Sequence, residues 1–286
     1  MGWIRNYTRL VKFEHTLFAL PFALIGFFMA YVQPGSVISL RLLLLVVLCM
    51  VFARNAAMGF NRWLDRRYDR LNPRTSAREI PAGVISPRAA LLFVIVNSLL
   101  FVAATWFINP LCFYLSPVAL FVVLFYSYTK RITSFSHFVL SLGLAIAPLG
   151  AYLAVTSRFD WPPMILSTIV FFWVSGFDII YSLQDEEFDK EQKLRSLPAR
   201  LGKKRALRFS EAIHLVTALL VVLLGVVLKG EGLHWAGVLW FCGLLLSQHL
   251  LVKPHDLSRV NLAFFTTNGL ASVAYAVFLI ADMLLR

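Results

Sequence analysis

The chain has 286 residues, of which 59% are hydrophobic and only 15% charged, with a mean hydropathy of +0.74. That composition excludes an ordinary soluble domain and describes a protein that lives in a bilayer. A formal net charge of +12 would suit a nucleic-acid binder, but the basic residues are segregated between apolar runs, where they set membrane orientation. No nucleic-acid partner is expected.

In chain order, Arg5, Arg9 and Lys12 precede the first apolar run. That run is long and lacks a small-x-small cleavage site, so it reads as a first span and not a signal peptide. At about 20 residues per crossing, nine spans are predicted, at 15–33, 38–60, 89–108, 111–129, 135–156, 162–182, 206–228, 233–252 and 260–284. Pro117 interrupts the fourth, and Gln248 and His249 polarise the end of the eighth. With the amino terminus inside, 22 basic residues fall in inner segments and four (Arg41, Arg158, Lys229, Arg286) in outer ones, while Arg54 lies within the second span. The asymmetry predicts a multi-pass protein of the cell (inner) membrane with a cytoplasmic amino terminus, cytoplasmic loops at 61–88 and 183–205, and the carboxy terminus outside. Cys49, Cys112 and Cys242 have no metal-site or disulfide spacing and read as small buried hydrophobes.

Nine of the fifteen acidic residues fall in or beside two stretches where apolar segments run out, around Asp65 and Asp69 and from Asp178 through Asp185 to Asp189. Ionisable groups at the edge of a bilayer are costly and by default mark function. At 100° per residue, Asn61, Asp65 and Asp69 fall within about 80° of one helix face, and Asp178, Asp185 and Asp189 within about 40°, with Tyr181 on the same stripe. Two such rows on one side of the membrane converge if their helices face each other. Clustered carboxylates need compensation. Carboxylate and amide oxygens suit magnesium, which completes its shell with substrate phosphates. The interleaved bases Arg62, Arg66, Arg67, Arg74, Arg78, Lys130, Lys193 and Arg195 suit phosphate oxygens. Topology alone would also account for Arg66, Arg67 and Arg70. His137, His214 and His249 read as packed side chains, Glu186 and Glu187 as solvated, and Asp282 as surface.

A short echo links the motifs: Asp65 and Asp69 recur as Asp185 and Asp189, Ile80-Pro81-Ala82 as Leu197-Pro198-Ala199, and Ala90-Leu91 as Ala206-Leu207. The motifs lie four spans apart and emerge on the same side, as in a parallel repeat of four helices with a ninth appended. The whole of 1–286 reads as one transmembrane domain. A transporter of a cation or phosphate ester would call for charge on both sides of the membrane. A purely anchoring protein would leave the paired aspartates without a purpose, and no obligate protein partner is evident.

Asn61, Asp65 and Asp69 read NxxxDxxxD and are followed by Asn72-Pro73-Arg74-Thr75 and Arg78-Glu79-Ile80-Pro81-Ala82-Gly83; Asp185 and Asp189 are preceded by Asp178 and Tyr181; and Tyr128-Thr129-Lys130-Arg131 forms a short basic stretch. On these motifs the chain shows a resemblance to the UbiA family of membrane prenyltransferases. The resemblance implies an all-α polytopic fold of about nine helices around a central cavity. It also implies magnesium-dependent transfer of a polyprenyl group from polyprenyl diphosphate to an aromatic acid acceptor. By that resemblance Asn61, Asp65, Asp69, Asp185 and Asp189 hold metal and diphosphate. Lys130 and Arg131 are candidates for the diphosphate or for the acceptor's carboxylate. On the reading of the residues themselves, a carboxylate (Asp178 or Asp185) or water takes the ring proton, and Asn61, Arg66, Arg78, Tyr181 and Lys193 are further candidates for binding substrate. Within the family the chain looks nearest the 4-hydroxybenzoate polyprenyltransferases of ubiquinone biosynthesis. The segment from Lys12 to Pro21 also resembles a subgroup of the futalosine route to menaquinone, whose acceptor would be a dihydroxynaphthoate. Glu79 departs from the family pattern, which has proline after the arginine.

Overall fold

Each expected apolar run is a helix in the computed structural model, which describes residues 2–11, 16–33 and 39–286. Lys12 to His15, four of the ten residues in the segment that points to the menaquinone subgroup, lie outside the described residues. A short α1 (Gly2–Leu10) is followed by α2 (Thr16–Tyr31), α3 (Leu40–Leu71), α4 (Pro87–Trp106), α5 (Pro110–Thr129), α6 (Ser136–Thr156) and α7 (Trp161–Ser182). A 3-10 turn (Leu183–Asp185), α8 (Glu186–Glu191) and α9 (Leu197–Leu201) lead into α10 (Lys203–Val227) and α11 (Gly232–Leu251). A π-helical turn (Leu262–Thr267) opens α12 (Asn268–Leu285). The chain is thus an all-helical, multi-pass membrane protein. By length and composition, seven helices among the described residues can cross a bilayer; α2 is a shorter apolar helix, and α11 carries the polar Gln248 and His249 at its end.

The helix boundaries follow local chemistry. Ser39, Ser86 and Asn109 accept hydrogen bonds from the backbone N–H three residues on, satisfying donors that the first turn leaves orphaned. Pro87 and Pro110 occupy the first helical position, where a missing N–H costs nothing. Asn109 also donates to the Leu153 and Ala154 carbonyls at 2.9 and 3.2 Å, pinning the start of α5 to the end of α6. α3 outruns its predicted span of 38–60 because residues 61–71 contain no glycine or proline. It stops at Asn72, whose extended backbone (φ −88°, ψ 117°) is what a following proline demands.

Helices α3–α6 pack in sequence, as do α7, α10, α11 and α12; α6 lies against α7, and α2 bridges α6 to α12. α2 and α6 approach closely at Gly26, where a β-carbon would collide with the Pro148 carbonyl oxygen, so the backbones meet there without a side chain between them. Around α7, α11, α12 and α2 the core is aromatic: Phe22 lies 5.0 Å from Trp173, and Phe241 5.1 Å from Tyr275, centre to centre. Trp173 Nε1 and Gln248 Nε2 both donate to Asn268 Oδ1. Among α3–α6 the packing leaves a cavity instead, described below.

Two polar residues sit differently from the sequence reading. Asp282 is buried, not on the surface: it pairs with Arg286 and accepts from the His234 and Glu231 backbone N–H groups at the start of α11. Glu186 is likewise buried, with Lys190 one turn on at 2.5 Å. Each has a base at i+4, which makes burial tolerable.

Candidate functional site

The α3 extension carries the first acidic row. Asn61 donates to Asp65 Oδ2 at 3.0 Å, confirming that the two share a face. Beyond Asn72 the chain doubles back. The Asn72 side chain accepts from the Arg74 N–H at 2.9 Å, its carbonyl from Thr75 and Ser76, and the Thr75 hydroxyl donates to the Asp69 carbonyl. This asparagine-led turn aims Arg74 across to the second motif. There Arg74 grips Asp185 with two nitrogens, Nε at 3.0 Å and an η nitrogen at 2.5 Å, and donates to the Tyr181 hydroxyl at 3.0 Å. Asn72 Nδ2 reaches the same carboxylate at 3.4 Å. Tyr181 in turn stacks on Phe264 with centroids 4.0 Å apart.

The loop between α5 and α6 ties the rows together a second time. Arg131 donates to Asp65 at 2.8 Å and to the Leu64 carbonyl, while Lys130 Nζ stands 3.6 Å from Asp189 Oδ2. Arg195 holds this loop in place, its N–H on the Lys130 carbonyl and its guanidinium on the Ile132 carbonyl, both at 2.7 Å. Burial alone would lower the Lys130 ammonium, but Asp189, Asp185, Asp178 and Asp65 outweigh it and hold it above its ordinary value. A lysine that feels aspartates of both rows marks a single shared environment. For Arg74 too, burial works against the charge, and Asp185 with Tyr181 more than offsets it.

Four acids thus have four bases: Asp65 with Arg131, Asp69 with Arg78 at 2.6 Å, Asp185 with Arg74, and Asp189 with Lys130. Among the described residues no three acidic, histidine or cysteine side chains group as a metal site. Three carboxylate oxygens, Asp69 Oδ2, Glu79 Oε2 and Asp189 Oδ2, are nevertheless buried without a hydrogen-bond partner, the last with only the Lys130 ammonium at 3.6 Å. Buried anionic oxygens left this way are costly unless a cation is meant to reach them, and hard carboxylate oxygens fit magnesium.

Some predicted residues stand apart. Arg66 folds back on its own helix, donating to the Trp63 carbonyl at 2.6 Å and lying 5.0 Å over the Trp63 ring. Lys193 is exposed, with a left-handed φ of 54° where α8 ends, beside a basic surface pocket. The second acidic row is not one continuous stripe, because the 3-10 turn at Leu183–Asp185 changes the winding between Tyr181 and Asp189. Asp178 stays in α7 and faces another partner, His137 Nδ1, at 2.6 Å. The sequence reading missed this histidine, since its partner is on a different helix and no local spacing announces it.

Behind Asp178 opens a cavity of about 450 Å³ walled mainly by α3, α5 and α6. Its lining is apolar and aromatic except for a few groups, among them Arg54, Tyr126 and Asp178 towards the acidic end. It reaches Phe159, just before α7, so it spans about 27 Å of helix rise, close to the thickness of a bilayer core. Val118 and Phe159 line it and are also more than half exposed, so its wall is open to the outside.

A match to the UbiA prenyltransferase family covers residues 19–270. The chain is 29% identical over 238 residues to a 4-hydroxybenzoate octaprenyltransferase of Aliivibrio fischeri, with 82% of each chain covered. It is 27% identical over 284 residues to the enzyme so named from Nitrosomonas europaea, covering 98% of this chain and 95% of the relative. The structure of a UbiA homolog from Aeropyrum pernix K1, in its apo form, superposes with a TM-score of 0.81 at 27% identity over 95% of this chain and 98% of that one. The fold is also that of a UbiA homolog from Archaeoglobus fulgidus bound to DMAPP and Mg2+, at a TM-score of 0.77 and 23% identity, with 98% of this chain and 100% of that one covered. Paired acidic rows, a basic loop joining them and an apolar cavity behind them agree with the family match, and the chain belongs to the UbiA prenyltransferase family.

Proposed function

We propose that this protein transfers a polyprenyl group from its diphosphate to a ring carbon of a hydroxylated aromatic carboxylate of the 4-hydroxybenzoate kind, in quinone biosynthesis. The observation that carries this reading is the junction of a charged mouth with a membrane-deep apolar cavity, at Asp178. The tail of the donor lies along the cavity, and its diphosphate meets the mouth. The names of the relatives support the acceptor, and the diphosphate and magnesium bound to a protein of the same fold support the donor and cofactor.

Lys130, Arg131, Arg78 and Arg74 offer donors to the diphosphate by exchanging their present aspartate partners for its oxygens. Magnesium would be held by Asp69 and Asp189 through the buried oxygens that make no hydrogen bond, with Asn61, Asp65 and Asp185 beside them, and would neutralise charge growing on the leaving diphosphate. The allylic carbon left behind is cationic and is shielded from water by the aromatic wall of Phe18, Tyr126, Phe177 and Phe264. Arg54, a cation within a membrane helix that faces the cavity and donates to the Val11 carbonyl at 3.0 Å, is suited to the acceptor's carboxylate. The open wall near Val118 gives a long tail a sideways route to the lipid.

Under the same reading the chain is one domain of the cell (inner) membrane, with α3–α6 and α7 with α10–α12 as parallel four-helix units and α2 as the ninth. The acidic mouth and the amino terminus face the cytoplasm, and the carboxy terminus lies outside. The test is mass spectrometry of products from membranes given polyprenyl diphosphate with 4-hydroxybenzoate and dihydroxynaphthoate in competition. A prenylated hydroxybenzoate is the expected product. A prenylated naphthoate alone would assign the menaquinone acceptor, and flux of diphosphate without covalent product would overturn the enzymatic reading.

A further inference from the structure

This inference rests on the transfer reaction proposed above and concerns its last step. Asp178 is the acidic side chain that lines the cavity among the described residues. About a fifth of its side chain remains accessible, while that of His137 is fully buried. Both nitrogens of the His137 ring are engaged. The backbone N–H of Leu197, at the start of α9, points at Nε2 from 3.4 Å, and Nδ1 lies 2.6 Å from Asp178 Oδ2. A backbone N–H only donates, so Nε2 accepts and the ring proton sits on Nδ1, directed at the carboxylate. The Ser141 hydroxyl donates to the His137 carbonyl at 2.6 Å, and the Ser175 hydroxyl to Ser141 at 2.8 Å, so a short polar chain links the base of α6 to α7 beside Asp178. Lys130 and Tyr126, both from the α5 side, also lie within electrostatic reach of Asp178. His137 differs from them in making a directed hydrogen bond.

We infer that His137 is a positioning residue that holds the Asp178 carboxylate towards the acceptor ring to receive the proton displaced by the prenyl group. In the full step, a ring carbon bonds to C1 of the prenyl chain, and the C1–O bond breaks with its electron pair leaving on the diphosphate. The ring C–H proton then passes to Asp178, and the C–H electron pair restores the aromatic ring. One Asp178 oxygen is tethered by His137, which leaves the other to accept the proton. Because Leu197 fixes the tautomer, the five-residue connection before α9 (192–196) is coupled to the orientation of this acid.

The experiment compares wild type, His137→Leu and His137→Asn in membranes, with an acceptor deuterated at the position that becomes prenylated. His137→Leu is expected to lower kcat by about 10–100-fold, less than the roughly 10²–10⁴-fold that a general base contributes because the base is displaced and not removed, with KM for both substrates within about threefold. A primary isotope effect should appear as proton removal becomes slow. His137→Asn, which restores a donor near the former Nδ1, is expected to recover most of the rate and lose the isotope effect. In an Asp178→Asn background, His137→Leu should cost little more, as coupled residues do. An unchanged kcat in His137→Leu, a loss without an isotope effect, failure of His137→Asn to rescue a protein that inserts normally, or additive losses in the double variant would each overturn the inference. Wild-type membranes that form no prenylated acceptor would overturn the underlying reaction instead, and the two failures are told apart by that control.

Discussion

Helices α3–α6 surround an apolar space of about 450 Å³, whereas α7 and α10–α12, with α2, fill their centre with Trp173, Phe241 and Tyr275. Both groups of four begin with a helix that carries an acidic motif to the same end of the molecule. One half therefore offers room and the other offers rigidity, and the acids stand where the two meet. Two glycines sharpen the contrast. At Gly26 a β-carbon would collide with the Pro148 backbone, while at Gly150, on the cavity wall, it would meet nothing within 4 Å. The first allows close packing, and the second keeps space open.

The contrast can be broken at its seam. Asp69→Asn or Asp189→Asn removes the charge from a buried oxygen that has no hydrogen-bond partner, and transfer from a labelled polyprenyl diphosphate should fall by about 10³-fold or more. Full activity in either variant would deny that this end handles the diphosphate. In the filled half, Trp173→Ala should cost about 3–5 kcal/mol, read as an early melting transition in detergent, and an unshifted transition would show that rigidity is held elsewhere. In the hollow half, Gly150→Leu should leave melting nearly unchanged but reduce transfer of long prenyl donors about tenfold relative to short ones, an effect of one ill-fitting side chain in an apolar pocket. Equal loss for long and short donors would mean that the tail does not reach this depth. The smallest effect is expected of Arg66→Ala, a half-buried side chain that loses only contacts on its own helix, worth on the order of 1 kcal/mol. A threefold or smaller change in kcat/KM is the expected outcome, and a hundredfold loss would return Arg66 to the substrate.

The helical architecture was legible because a bilayer permits few solutions, and hydropathy locates them to within a few residues, apart from the continuation of α3 to Leu71 beyond its apolar run. The acidic rows were legible because charge is rare at such positions. What local spacing did not reveal was which base each acid meets. Arg66 and Arg74 have the same chemistry and lie eight residues apart, yet only the one beyond Pro73 is turned across to Asp185, 111 residues away. The His137–Asp178 pair, the burial of Asp282 and the 3-10 turn before Asp185 belong to the same class. Each is decided by packing between distant segments and leaves no periodic trace in the chain.

The one-to-one matching of acids and bases at the mouth has a consequence for how ligands arrive. Admitting magnesium alone would strand arginine and lysine side chains whose carboxylates it takes, and admitting a diphosphate alone would strand aspartates in a poorly hydrated setting. A metal–diphosphate complex offers each deserted partner a replacement at once. Cation and prenyl donor should therefore bind synergistically, each tightening the other reciprocally as linkage demands, so that the protein keeps its gate electrically closed until the correct pair presents itself.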